Sequence, residues 1–235
     1  MLNRRFTKLL LLVSISMTLV FLACEYSVFA EQYDKEQIEY NHRANQEPKG
    51  KLYRLAKQEN KAHAILTFQS DRGMIAPNIR QLVRRSTDII VGKVLINRAY
   101  LNDEGDEIYK FINVFVQVVY KGAIANRSRI EVKQLGGSWL YNDGTVLTWQ
   151  PGDALLTTNG KSYVFFLVKD KENQYFVPSQ GVQSVFELDF GTSSITPTDL
   201  NKRDPVVIKY KNAPIQDFLN EIRSTVSEEV TVGAN

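Results

Sequence analysis

Ser86-Thr87-Asp88-Ile89-Ile90-Val91-Gly92-Lys93-Val94 opens the stretch on which the fold turns, and Gly136-Gly137 closes it. Ile89 to Ile96 is almost unbroken aliphatic sequence, the composition of a strand buried on much of both faces. Asn102-Asp103-Glu104-Gly105-Asp106 supplies a turn. From Ile108 to Tyr120 the chain alternates. Ile112, Val114, Val116 and Val118 fall on one face and Asn113 and Gln117 on the other, with Phe111 and Phe115 between them. A strand of that length must coil or bend, as strands do when a sheet closes into a small barrel. After Lys121-Gly122, Ile130 to Gln134 reads as a third strand.

Outward from this centre the pattern stays β-rich. Tyr163-Val164-Phe165-Phe166-Leu167-Val168 reads as a central strand, Tyr175-Phe176-Val177 and Val185 to Leu188 as a following pair, and Val206-Val207-Ile208 as a last short one. Gly191 to Asp204 is polar and turn-like. Upstream, Ala64 to Phe68 suits an edge strand. Ile79, Leu82 and Val83 behind Pro77-Asn78 have the i, i+3, i+4 spacing of a short helix. Downstream, Pro214 suits a helix's first turn, and Ile215, Phe218, Leu219, Ile222 and Val226 share one face. The tail after Ser227 reads as frayed. The expected fold is mainly β: a small OB-like barrel, closed or partly open, with a short helix before its first strand and a C-terminal amphipathic helix. The expected organisation is a signal peptide over 1–30, a polar tether with an edge strand over 31–76, the barrel domain over 77–226 and the tail over 227–235.

Hydrophobic residues make up 43% and charged residues 23% of the chain, which can therefore build a core. The formal charge of +3 does not imply a nucleic-acid partner. Arg4, Arg5 and Lys8 account for all of it, and no acid precedes Glu25. These three bases lead into 16 uncharged residues, Leu9 to Cys24, in the pattern of a bacterial export signal. The run is shorter than the roughly 20 residues of a comfortable membrane span. Val28-Phe29-Ala30 offers a cut before Glu31. Ala23-Cys24 offers a lipoprotein cut that would leave Cys24 for acylation, although Phe21 and Leu22 depart from the usual motif. The expected location is extracellular or in the cell envelope, with membrane contact only through the signal or a lipid. Cys24 is the single cysteine, so no intramolecular disulfide can form.

The order Ser86-x-Asp88-Ile89-Ile90-Val91-Gly92-x-Val94, acidic turn, long strand, Lys121-Gly122, strand, Gly136-Gly137 and later Tyr163, Phe166 and Leu167 resembles uncharacterised exported bacterial proteins. More distantly, it is similar to the netrin-like and tissue-inhibitor-of-metalloproteinases domains. The resemblance covers about residues 79–190 and implies a five-stranded OB-like barrel with flanking helices. Those inhibitors are cross-linked by disulfides and reach a protease metal through an N-terminal cysteine. Cys24 has no partner cysteine and lies far from the barrel in sequence, so the resemblance implies the scaffold and not the mechanism.

No catalytic set, cofactor motif or metal site is read. His42 and His63 are the only histidines, too few for zinc and unlinked to Ser138. Gly160-Lys161-Ser162 lacks the earlier glycine of a phosphate loop, since Leu155 stands there, and it opens a strand. Asp103, Glu104, Asp106 and Glu107 could gather calcium, but a solvated turn explains them as well. Asp88 beside Ser86 reads as a cap. Trp139, Tyr141 and Trp149, in a glycine-bounded loop, are the expected binding residues, with barrel closure as their plainer role. The leading expectation is a non-catalytic module that contacts a protein or cell-wall glycan through barrel loops. The alternatives are a secreted protease inhibitor and a hydrolase of an extracellular polymer using carboxylates such as Asp88 or Asp153.

Overall fold

In the computed structural model, residues 50–59, 63–69, 75–170 and 175–233 are described. The expected signal segment, Cys24 and His42 lie outside them. Two long antiparallel strands, β2 (Asp88–Leu101) and β3 (Ile108–Lys121), dominate the architecture. β3 continues into β4 (Arg129–Leu135), and β2 pairs on its other side with β7 (Ser162–Lys169). The short strand β8 (Phe176–Pro178) is antiparallel to β7 and meets β4 in parallel through Val132 and Phe176. That contact closes a five-strand barrel in the order β2-β3-β4-β8-β7, a Greek-key connectivity of the kind seen in OB-folds. The expected class is the one found: mainly β, with a short helix before the first barrel strand and a C-terminal helix.

Three bulges explain how such long strands curve into a small barrel. The β2–β3 register slips at Ile89/Ile90, Val91/Gly92 and Val94/Ile96, and each slip bends and twists the pair. The second slip also corrects an expectation. Ile112, Val114 and Val116 point inward and are buried, but the extra residue at 117 reverses the alternation and leaves Val118 42% exposed. Gly92 sits at the second slip. A Cβ there would stand 2.3 Å from Val114 Cγ1, inside the barrel wall.

Three cores result. Ile90, Val94, Ile112, Val114, Val116, Val132, Phe165, Leu167 and Phe176 fill the barrel. The opposite face of β2 and β7, extended by β9 (Val185–Asp189) and β10 (Ser194–Pro197), is covered by helices. These are α2 (Ile79–Arg85), α3 (Pro205–Tyr210) and α4 (Ile215–Gly233), the second to fourth in chain order. Ile89, Val91, Phe166 and Phe186 meet Leu82, Val206, Tyr210, Phe218 and Ile222 there. Phe218 is the hub, with its ring centroid 4.9 Å from that of Phe186 and 4.8 Å from that of Tyr210. So β2 and β7 are buried on both faces, as their unbroken apolar sequence requires. Among the described residues, no helix is long and apolar enough to cross a membrane.

The third core lies at the far end of the β2–β3 hairpin. Helix α1 (Lys51–Gln58) and a three-stranded sheet of β1 (His63–Phe68), β6 (Val146–Pro151) and β5 (Gly137–Leu140) close on Ile108. The end of the expected tether is thus a folded helix and an edge strand.

Three local expectations are corrected. Val206-Val207-Ile208 is helical, because the Asp204 carboxylate accepts from the Val206 and Val207 amides and Pro205 takes the first helical position. Cap and proline outweigh the β-branched run. Within the expected turn region, Ser194–Pro197 pairs with β9. The helix expected to fray after Ser227 continues to Gly233, with Arg80–Glu228 and Lys121–Glu229 ion pairs holding its outer turns.

Candidate binding surface

The distal half of the β2–β3 hairpin and the adjoining β4 present one outward face. Cross-strand register places Arg98 opposite Phe111, Tyr100 opposite Tyr109, and Lys133 opposite Phe111 on the other side. Period-two alternation sends the residues between them (Ile108, Ile112 and Val132) inward, so the set is fixed by the pleat. Tyr175, just before β8, joins from the closing edge.

The rings form a continuous group. Tyr100 and Phe111 meet edge-to-face with centroids 5.0 Å apart, and Phe111 and Tyr175 do so at 5.4 Å. Lys133 Nζ stands 3.8 Å from the Tyr109 ring centroid, 5.4 Å from that of Tyr175 and 5.9 Å from that of Phe111. All five side chains are half-buried. The Tyr109 hydroxyl donates to the Glu107 carboxylate. Burial, aided by that bond, pushes the phenol up to about 12, so Tyr109 stays protonated across the physiological range. The result is a pre-ordered aromatic face carrying one ammonium.

Trp139, Tyr141 and Trp149 are placed differently from the expectation. The loop they were assigned to is the β5–β6 hairpin, and its inward positions hold them at 6%, 5% and 9% exposure. Trp149 packs on Phe68 at 4.2 Å, and Tyr141 meets Tyr53 edge-to-face at 4.9 Å. These rings bury the third core and offer little surface to a partner. Outside them, Tyr53 and Lys57 both reach the Asp143 carboxylate, and Lys57 holds that acid well below its ordinary range. This knot pins α1 to the β5–β6 turn.

The other singled-out residues are structural. Asp88 accepts from the Thr87 hydroxyl and the Ala123 amide, and Ser86 donates to the Leu82 carbonyl. Asp88 and the turn at Gly122–Ala123 thus meet as one junction between the start of β2 and the turn after β3. Asp153 lies in the turn after β6, where its carbonyl accepts from the Leu200 amide. The acidic turn is organised by Asn102, whose side chain bonds the Asp106 and Glu107 amides and the Asp106 carboxylate. Among the described residues, no group of three or more His, Cys, Asp or Glu is placed to hold a metal ion. His63 Nε2 and Ser138 Oγ each lie 2.8 Å from Thr148 Oγ1, on an exposed sheet face. The three side chains stand on neighbouring strands and read as cross-strand pairing.

One buried group stands apart. Lys110 points into the barrel end at 4% exposure, and its Nζ donates to the Thr157 carbonyl at 2.7 Å. Gln134 accepts from the Thr157 hydroxyl beside it. Burial alone draws the ammonium down to about 7.

No protein family, curated protein or solved structure matches this chain.

Proposed function

We propose that the protein is a non-catalytic glycan-binding module, exported or tethered at the cell envelope, whose binding surface is the Tyr100–Tyr109–Phe111–Tyr175–Lys133 face. The reading rests on one observation: four rings and a lysine are ordered together across the outward face of β2, β3 and β4 and the start of β8. Rings of this kind give large contact area at small entropic cost, and a pyranose ring stacks on them through its C–H face. In OB-folds the face of strands two and three binds oligosaccharides and oligonucleotides, and by fold-level analogy the corresponding β3 and β4 here carry Tyr109, Phe111 and Lys133. The balanced charge of the chain after its basic leader favours the saccharide, as do Glu107 and Glu131 beside the face. The export signal read from the sequence would deliver such a module to wall polysaccharides.

The paired variant Tyr100→Ala/Phe111→Ala tests the reading. Affinity electrophoresis through gels containing bacterial wall polysaccharide should show retardation of the wild type at least tenfold stronger than that of the variant. Far-UV circular dichroism should change little, and the unfolding midpoint should fall by only a few degrees, because both rings are half-buried on the outside of the barrel and not in its core. Equal retardation of the two proteins would end the proposal.

A further inference from the structure

We infer that the glycan carries a carboxylate, in the manner of a uronic acid, and that Lys133 is the residue that holds it. This rests on the glycan reading and deepens it. The observation is a mismatch of charge and partners at Lys133. Its ammonium is gathered among Tyr109, Tyr175 and Phe111, with the nearest centroid at 3.8 Å. The rings stabilise a cation through their faces but accept none of its N–H bonds in the manner of an oxygen. Among the described residues, no carboxylate lies within ion-pair distance of it.

The acids that could have served are engaged elsewhere or stand apart. Glu107 is taken by the Tyr109 hydroxyl and Asp106 by Asn102, while Glu131, two residues along β4, is exposed. Among the described residues, the face thus holds an oriented, half-buried cation that meets rings and no oxygen acceptor. A ligand anion placed beside a sugar stacked on Phe111 or Tyr175 would complete it with a charge-assisted bond.

Polygalacturonate and hyaluronate, each compared with its methyl ester, separate charge from sugar shape. Wild-type protein is expected to bind at least one carboxylated polymer about tenfold more tightly than its ester, with the preference fading between 50 and 500 mM NaCl. Lys133→Met should erase that preference and its salt dependence while keeping the weaker, ester-like binding. Lys133→Arg should restore most of it. Wild type binding each acid and its ester equally, with both lost in Tyr100→Ala/Phe111→Ala, would overturn the carboxylate inference and leave the glycan reading standing. No binding to any of these polymers would overturn the inference, and the wall-polysaccharide gel then decides the broader reading separately. Tighter binding of poly(glycerol phosphate) or of oligo-dT would overturn it in favour of a phosphodiester ligand, and the oligonucleotide result would also end the glycan reading.

Discussion

Replacing Gly122 with alanine is expected to destabilise the protein by about 3 kcal/mol or more. Two independent costs meet at this position. Its φ of +101° lies in the left-handed region that side chains resist. An added Cβ would also stand 2.0 Å from Asp88 Oδ1 and 2.9 Å from the Thr87 carbonyl. Asp88 cannot swing away without abandoning Thr87 and the Ala123 amide. The turn after β3 and the start of β2 are therefore shaped to each other, which is why Asp88 and Gly122 belong to one device. Urea unfolding of Gly122→Ala in wild-type and Asp88→Ala backgrounds separates the two costs. The glycine substitution should be cheaper by at least 1 kcal/mol once the carboxylate is gone. An identical cost in both backgrounds would refute the steric account.

The second large effect is a pH dependence. Lys110 titrates near 7 in the folded protein because burial opposes its charge, whereas in the unfolded chain it titrates at the ordinary 10.5. Between these values the unfolded chain binds more proton than the native one. Stability must therefore rise with pH across that window, by up to roughly 1.4 kcal/mol per pH unit. Above it the lysine is neutral in both states. Below about pH 7 it is charged in both, and folding bears the full cost of burying the ammonium. Lys110→Met should remove this slope. It should be more stable than wild type at pH 6 and lose that advantage towards pH 9.5, where the missing bond to the Thr157 carbonyl leaves an acceptor unsatisfied. Unfolding midpoints should be compared below pH 10. Beyond that, Tyr109 and Tyr141, both pushed up to about 12, add an opposing loss of stability. Parallel pH profiles for the two proteins would show that Lys110 remains charged inside the barrel.

Much of this architecture was legible in the sequence because burial on two faces leaves a plain mark. Ile89–Val91 and Tyr163–Val168 could be read as central strands, and the length of Ile108–Tyr120 implied closure. The bulge at residue 117 could not be read, since register is a property of the pair, and so Val118 was assigned to the wrong face. Val206–Ile208 misled because β-branched propensity was weighed without the cap at Asp204. The aromatic residues show the limit most clearly. Trp139, Tyr141 and Trp149 drew attention as large rings among glycines, yet alternation along β5 and β6 turns Trp139 and Trp149 inward. Phe111 and Phe115 were seen to share a face with Asn113. Tyr100, Lys133 and Tyr175 join that face only through pairings of β2 with β3, β3 with β4, and β8 with β7, which no local pattern encodes.

The most direct measurement is amide chemical-shift mapping of the isotope-labelled protein during titration with wall polysaccharide. Shifts concentrated in residues 96–101, 109–115, 129–135 and at Tyr175 are the predicted result, with the indole signals of Trp139 and Trp149 unmoved. Shifts centred on the β5–β6 hairpin or the helical face, with the β2–β3–β4 face silent, would contradict the account.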